Sequence, residues 1–213
     1  MKVLGLTGSI GMGKSTAAAM LRRLGWPVHD ADATVHALMT KGGAAVAAID
    51  GAFPGVVMDG AVSRPELGKR VFGDAAALRR LEAILHPLVR AQEKAFLRRH
   101  VLRGTRLVVL DIPLLFETNG DKRCDAVAVV SCPAFLQAQR VLRRPGQSPA
   151  RLAAIRAQQM ADFEKRRRAD FIIPSGTGKG PALKKLKLAL VSLLSQPGPG
   201  AWPPRPKPRY GHA

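Results

Sequence analysis

Carboxylates are scarce in this sequence. Its 213 residues carry 15 Asp and Glu against 34 Lys and Arg, a formal net charge of +19. So basic a chain needs an anionic substrate, an anionic partner or a solvated basic surface, and charge alone does not choose among them. Cysteine is nearly missing as well. Cys124 and Cys132 cannot make a disulfide scaffold or a CxxC site, and two reduced thiols are the expectation for a cytosolic protein. Aromatic residues make up 5%, too few to interleave base-stacking rings among the basic residues, and no nucleic-acid recognition motif is visible. The histidines show no HxxxH spacing and have no cysteine partners, which argues against a zinc site. Long hydrophobic runs are missing too. The apolar stretch LVVLDIPLLF is cut by Asp111 and Pro113, so no segment can span a bilayer. The start, MKVLGLTGSIG, lacks the apolar core of a signal peptide. A cytoplasmic protein without a membrane partner is expected.

What is present is ordinary globular composition, 46% hydrophobic and 23% charged, in a chain long enough for one sizeable core. Short apolar runs alternate with segments of helical periodicity. Lys2–Thr7, Trp26–Asp30, Arg106–Ile112, Ala126–Ser131 and Asp170–Pro174 read as strands. Lys14–Leu24, Ala31–Ala52 interrupted at Gly42–Gly43, a helix opened by Pro133, another opened by Ser148-Pro149 up to about Met160, and Ala182–Leu194 read as helices. Between the second and third strands, Phe53–Val62 reads as loop. Ser63-Arg-Pro-Glu66 is a capping box, and Asp74 caps a longer helix with Leu78, Leu81, Leu85, Leu88 and Val89 on one face. Pro87 should kink or break that helix. Residues 196–213 are rich in Pro and Gly and are expected to be a disordered tail. Alternating strands and helices imply an α/β fold with a parallel sheet, helices on both faces, and ligands beyond the carboxyl ends of the strands.

The segment Gly8-Ser-Ile-Gly-Met-Gly13-Lys14-Ser15 matches the phosphate-loop pattern G-x-x-x-x-G-K-[ST] without a gap, between a predicted strand and a predicted helix. Glycines let successive N–H groups turn inward as an anion nest, and the helix N-terminus adds partial positive charge. Lys14 supplies a full charge to the β- and γ-phosphates, and the Ser15 hydroxyl is placed to ligate Mg²⁺. The nucleotide-binding set is therefore Gly8, Gly11, Met12, Gly13, Lys14, Ser15 and Thr16.

Carboxylates and arginines extend this site. Asp30 and Asp32 follow the second strand. One can orient an acceptor hydroxyl and take its proton, one can cap the next helix, and both roles are compatible. Asp111 ends an apolar strand, where a carboxylate can hold the Mg²⁺ shell or be satisfied by backbone. Arg140 and Arg144 are i,i+4 neighbours that can close over phosphates, with Arg143 on the solvated side. The run Lys165–Arg168 reads as a solvated charge run. His86 reads as a packing or capping residue.

Taken together, the segments LTGSIGMGKST, VHDAD, LEAILHPLV, VVLDIPLLFE and RAQQM resemble the dephospho-CoA kinase family in order and spacing, over about residues 1–194. The phosphate loop alone is generic, whereas the combination of DAD, LHP and PLLFE is specific. The resemblance implies a P-loop kinase core over residues 1–195 with a helical substrate-binding insert at about 33–103 and a small lid at about 144–160. It implies transfer of the ATP γ-phosphoryl group to the ribose 3′-hydroxyl of dephospho-CoA, with ATP and Mg²⁺ as cofactors. Asp32 is then the carboxylate facing the acceptor hydroxyl, Arg140 belongs to the nucleotide and lid face, and His86, Leu114 and Glu117 shape the acceptor side. Where the family often has an acid after the lid arginine, this chain has Arg144-Pro145-Gly146. A monomer is expected. The rivals are a P-loop kinase for another small alcohol or nucleotide, and a basic nucleic-acid-binding protein with a regulatory NTPase.

Overall fold

The computed structural model describes residues 1–203. The chain divides into two compact units: Met1–His29 together with the residues from Arg98 onward, and Asp30–Leu97. The second unit compares with the expected insert at about 33–103.

The first unit is built on a five-stranded sheet of β1 (Lys2–Thr7), β2 (Val28–Asp30), β5 (Leu107–Asp111), β6 (Ala126–Ser131) and β7 (Phe171–Pro174), in the order β2-β5-β1-β6-β7. β1 pairs in parallel with β5 and β6, starting from Lys2 opposite Leu107 and Leu4 opposite Ala126, and β6 pairs in parallel with β7. Every residue of β5 and β6 is buried. That is why these strands read as continuous apolar runs: both faces of a parallel sheet are covered, so no polar alternation survives. On one face Leu4, Leu6, Ala128 and Val130 pack with Ala18 and Leu21 of α1 (Lys14–Arg23) and with Leu186, Leu190 and Leu193 of α9 (Lys179–Ser195). On the other face Val127 and Val129 pack with Leu115 and Phe116.

This unit also holds α6 (Ala134–Leu142), α7 (Pro149–Ala157), α8 (Asp162–Arg168) and a 3-10 turn at Gly120–Arg123. The Ser148 hydroxyl accepts from Arg151 N–H at 3.2 Å and starts α7 as its sequence predicts. The expected continuation of that helix to Met160 does not occur, and α8 follows as a separate helix. The segment after Gln196 is not wholly disordered as expected. Ala201 N–H donates to Asp125 Oδ1 at 2.8 Å, and the other oxygen of Asp125 accepts from Val3 N–H at 2.6 Å, so this stretch is fixed beside β1. The remainder of the expected tail, residues 204–213, lies outside the described residues.

The second unit holds α2 (Ala31–Met39), α3 (Val46–Ala52), α4 (Arg64–Val71) and most of α5 (Ala75–Leu102). Its core gathers Leu38, Ile49, Phe53, Val56, Leu67, Ala77, Leu81 and Leu85. The buried stripe of α5 runs through Ala77, Leu81 and Leu85, while Leu78, expected on that face, is exposed. Pro87 does not break the helix, which runs unbroken for 28 residues. Phe53–Val62 is not all loop. Val57–Met58 (β3) and Ala61–Val62 (β4) form a small antiparallel hairpin. Asp59 and Gly60 both have positive φ at its turn, the Asp-Gly signature of a tight hairpin. The capping box is half formed. Ser63 Oγ accepts from Glu66 N–H at 3.5 Å, but Ser63 N–H donates to the Val56 carbonyl and Glu66 turns to Lys69.

Candidate active site

Because β1, β5, β6 and β7 are parallel, Thr7, Asp111, Ser131 and Pro174 lie at one end of the sheet. The phosphate loop leaves β1 there and feeds α1. Gly13 sits at the helix N-cap with φ 91°, a left-handed conformation that costs a side-chain-bearing residue about 1–2 kcal/mol. A Cβ on Gly13 would also stand 3.2 Å from Ser175, and one on Gly11 would meet Val141 at 2.5 Å. Glycine is thus needed at both positions for conformation and for space. Gly13 offers no side-chain cap to the first turn of α1, and the N-terminus of a helix favours an anion.

The loop is held from several directions. Met12 is buried and accepts Cys132 N–H at its sulfur, 3.3 Å away. The Met12 carbonyl accepts the Ser175 hydroxyl at 2.6 Å, and Arg140 donates to both the hydroxyl and the carbonyl of Ser175, at 3.0 and 2.8 Å. Thr7 donates its hydroxyl to the Pro113 carbonyl at 2.9 Å. Lys14 Nζ lies 2.7 Å from Asp111 Oδ1, and Asp111 is only 2% exposed. The structure therefore brings Lys14 and Asp111 together and ties Arg140 to the loop through Ser175. Ser15 and Thr16 are exposed on the first turn of α1, and Gly8 lies against the Val130 carbonyl.

Beside the loop opens a cavity of about 350 Å³, rimmed by Gly13, Thr16, Arg140, Arg144, Ser175 and Lys179 and floored by Ala17, Met20 and Ile173. Arg140 and Arg144 share it, as their i,i+4 spacing suggests. Ser175–Lys179, the SGTGK stretch after β7, did not figure among the residues expected from sequence. Its signal was its place immediately after a strand end.

Other expected residues lie elsewhere. Asp30 is the N-cap of α2, its Oδ1 accepting Ala33 N–H at 3.0 Å, and Asp32 is exposed on the first turn of that helix. Both belong to the second unit, as does His86, exposed on α5. Leu114 is partly exposed, and its carbonyl accepts from Thr118. Glu117 accepts Met160 N–H at 2.8 Å and pairs with Lys165 Nζ at 2.9 Å. The solvated reading of the charge run fails at Lys165, which is fully buried with Pro113 O as a further acceptor at 3.3 Å, and holds for Arg166–Arg168, which are exposed. Arg168 lies over the Phe116 ring at 4.6 Å. Among the described residues, no helix is long and apolar enough to cross a membrane.

The comparison with family models decides the wider question. The dephospho-CoA kinase model matches residues 2–179. The chain belongs to the dephospho-CoA kinase family. A dephospho-CoA kinase of Paramagnetospirillum magneticum is 74% identical over 166 residues, 78% of each chain. One of Rhodospirillum rubrum is 59% identical over 91% of this chain and 92% of its own. Among solved structures, a crystal structure of TT1252 from Thermus thermophilus is similar with TM-score 0.80 and 35% identity, covering 92% of this chain and 98% of that one. The structure of a dephospho-CoA kinase from Campylobacter jejuni, at 23% identity and TM-score 0.61, shares the fold. The parallel sheet with flanking helices, of the P-loop kinase type that the resemblance implied, is thus the fold of this family.

Proposed function

We propose that this chain transfers the γ-phosphoryl group of ATP to the ribose 3′-hydroxyl of dephospho-CoA, giving CoA and ADP, the final step of CoA synthesis. The observation that carries the reading is the family match over residues 2–179, supported by the gapless phosphate-loop motif Gly8–Ser15 between β1 and α1. N–H groups of the loop and of the first turn of α1 bind the phosphates, and Lys14 neutralises the charge that spreads over the transferring group. Arg140 and Arg144 cover the phosphates from α6 and the segment after it. The cavity beside them takes the nucleoside part of ATP, supported by its apolar floor and basic rim. Closure of the lid over residues 144–160 excludes water, which otherwise competes with the acceptor alcohol.

The acceptor oxygen attacks the γ-phosphorus as the bond to the β–γ bridging oxygen breaks, and ADP departs. Asp32 aligns the hydroxyl and takes its proton. In support, Asp30 already serves as the helix cap, which leaves Asp32 as the exposed carboxylate of the HDAD segment. The unit Asp30–Leu97 serves as the acceptor-binding insert, with His86 on it, and Leu114 and Glu117 are assigned to the acceptor side by family position. The donor set also fits Mg²⁺: the Ser15 hydroxyl and the Asp111 carboxylate are hard oxygen ligands, of the number Mg²⁺ takes from protein when phosphates supply the rest. Those two residues would hold the ion, which would neutralise phosphate charge there. Among the described residues no group of three or more His, Cys, Asp or Glu could hold a metal. The protein acts in the cytoplasm as a monomer.

The deciding experiment is an acceptor panel with purified protein, ATP and Mg²⁺. ADP release dependent on dephospho-CoA, with CoA as the product, is the expected result. Release driven instead by a nucleoside monophosphate or another small alcohol would replace the acceptor assignment.

A further inference from the structure

We infer that Gln159 is a positioning residue for the phosphate loop, holding the Ile10 peptide so that the loop's amides face the nucleotide. Gln159 Oε1 accepts Ile10 N–H at 3.1 Å, and Gln137 Nε2 donates to the Ile10 carbonyl at 2.8 Å. Both backbone groups of this loop residue are therefore fixed by glutamine side chains from outside the loop. Peptide units are planar and trans, so fixing one end fixes the other. Holding the Ile10 carbonyl points Gly11 N–H the opposite way. Holding Ile10 N–H likewise orients the Ser9 carbonyl, which accepts Met12 N–H at 3.1 Å and closes the turn.

The two glutamines are themselves held in one orientation. Gln137 is only 4% exposed, and its Oε1 accepts Arg156 Nε at 3.1 Å. Its amide must then present nitrogen to Ile10, because a carbonyl oxygen facing the Ile10 carbonyl would pair two acceptors. Gln159 sits between two anchored neighbours. Arg156 is bound to Gln137, and Met160 N–H is bound to Glu117, whose carboxylate is clamped by the fully buried Lys165. Five residues, Arg156–Met160, thus touch α6, the phosphate loop and the segment after β5. The RAQQM stretch joins the end of the lid to the loop, so displacing that end withdraws the acceptor from Ile10.

The inference rests on the nucleotide-binding reading, and its test is separable from the acceptor assignment because it reads nucleotide binding directly. Gln159→Leu keeps the bulk and removes the acceptor, and Gln159→Glu keeps an acceptor oxygen. One lost hydrogen bond of about 1–1.5 kcal/mol corresponds to roughly tenfold. Titration calorimetry with ATP should show about tenfold weaker binding for Gln159→Leu. Hydrogen exchange at the Ile10 amide should rise by a similar factor in Gln159→Leu and stay near the wild-type rate in Gln159→Glu. With dephospho-CoA as acceptor, KM for ATP should rise while kcat stays within about threefold. Unchanged ATP affinity, or a fall in melting temperature with every kinetic parameter declining together, overturns the positioning role. If the wild type binds ATP but fails to phosphorylate dephospho-CoA, the acceptor assignment fails, and the calorimetry and exchange still decide the role of Gln159.

Discussion

Replacing Lys165 by methionine tests the most unexpected contact in the molecule. Its ammonium is fully buried, 2.9 Å from Glu117, while the Glu117 side chain is 18% exposed. At an effective dielectric of about 20 the Coulomb attraction at that separation is about 6 kcal/mol, and the desolvation of two ions offsets most of it. The pair as a whole therefore contributes little compared with an apolar pair of the same shape. Removing one partner is a different matter, because the other charge stays behind. Among the described residues the second Glu117 oxygen, which is buried, finds no hydrogen-bond partner, so the carboxylate depends on Lys165 and on Met160 N–H. Breaking a buried pair costs about 3–5 kcal/mol, and the partial exposure of Glu117 lets water relieve some of that. The expected loss for Lys165→Met is about 3 kcal/mol. Adding Glu117→Gln removes the stranded charge and keeps an acceptor for Met160, so the double variant should return to within about 1 kcal/mol of the wild type. Urea unfolding of the four proteins measures both numbers. A single variant within about 0.5 kcal/mol of wild type, or a double variant whose losses simply add, would refute the buried-pair argument.

Three further outcomes are expected. Asp32→Asn should lower kcat by ~10²–10⁴ with little change in ATP affinity, and turnover within a few-fold of wild type would remove Asp32 as the base. Gly13→Ala forces a side chain into φ 91° beside Ser175. ADP binding measured by calorimetry should weaken about tenfold or more, in line with a strain of ~1–2 kcal/mol, and unaltered binding would contradict the strained-cap account. Asp74 has its carboxyl held below the ordinary carboxylate range, chiefly by Ala77 N–H and then by Ala76 N–H. Its stabilisation is therefore present above the ordinary value near 3.8 and is lost as pH falls through the lowered folded value. The melting-temperature gap between wild type and Asp74→Asn should shrink from about pH 6 to about pH 3, and a constant gap would count against the cap.

Elements whose causes are local were legible in the sequence. Ala126–Ser131 is a strand at the boundaries its apolar run suggests, and Ser148 and Asp74 cap their helices because an N-cap needs only the next three residues. The glycine-rich loop announced itself for the same reason. Features that depend on distant partners were not legible. Lys165 looks like one of four consecutive basic residues, and only α8 turning one of them toward Glu117, 48 positions earlier, separates it from its neighbours. Ser175 reaches Met12 across 163 residues, so nothing near it marks it as part of the phosphate site. The hairpin at Asp59-Gly60 is the exception, since its turn residues were in view. Two-residue strands give too short an alternation to draw attention. Pro87 does not end α5, because the helix buries Leu81 and Leu85 before the proline and Glu93 and Leu97 after it, and that packing carries the helix through the missing hydrogen bond.

The strand order has a consequence for how the chain is made. β1 is synthesised long before its partners β5 and β6, with Lys2 opposite Leu107. At roughly 5–20 residues per second, that strand waits on the order of 5–20 s for a neighbour. During the wait, Asp30–Leu97 emerges as an unbroken stretch with its own core and is expected to compact first. Nascent chains stalled at increasing lengths should show protection of that stretch before any protection of Val3 or Leu4.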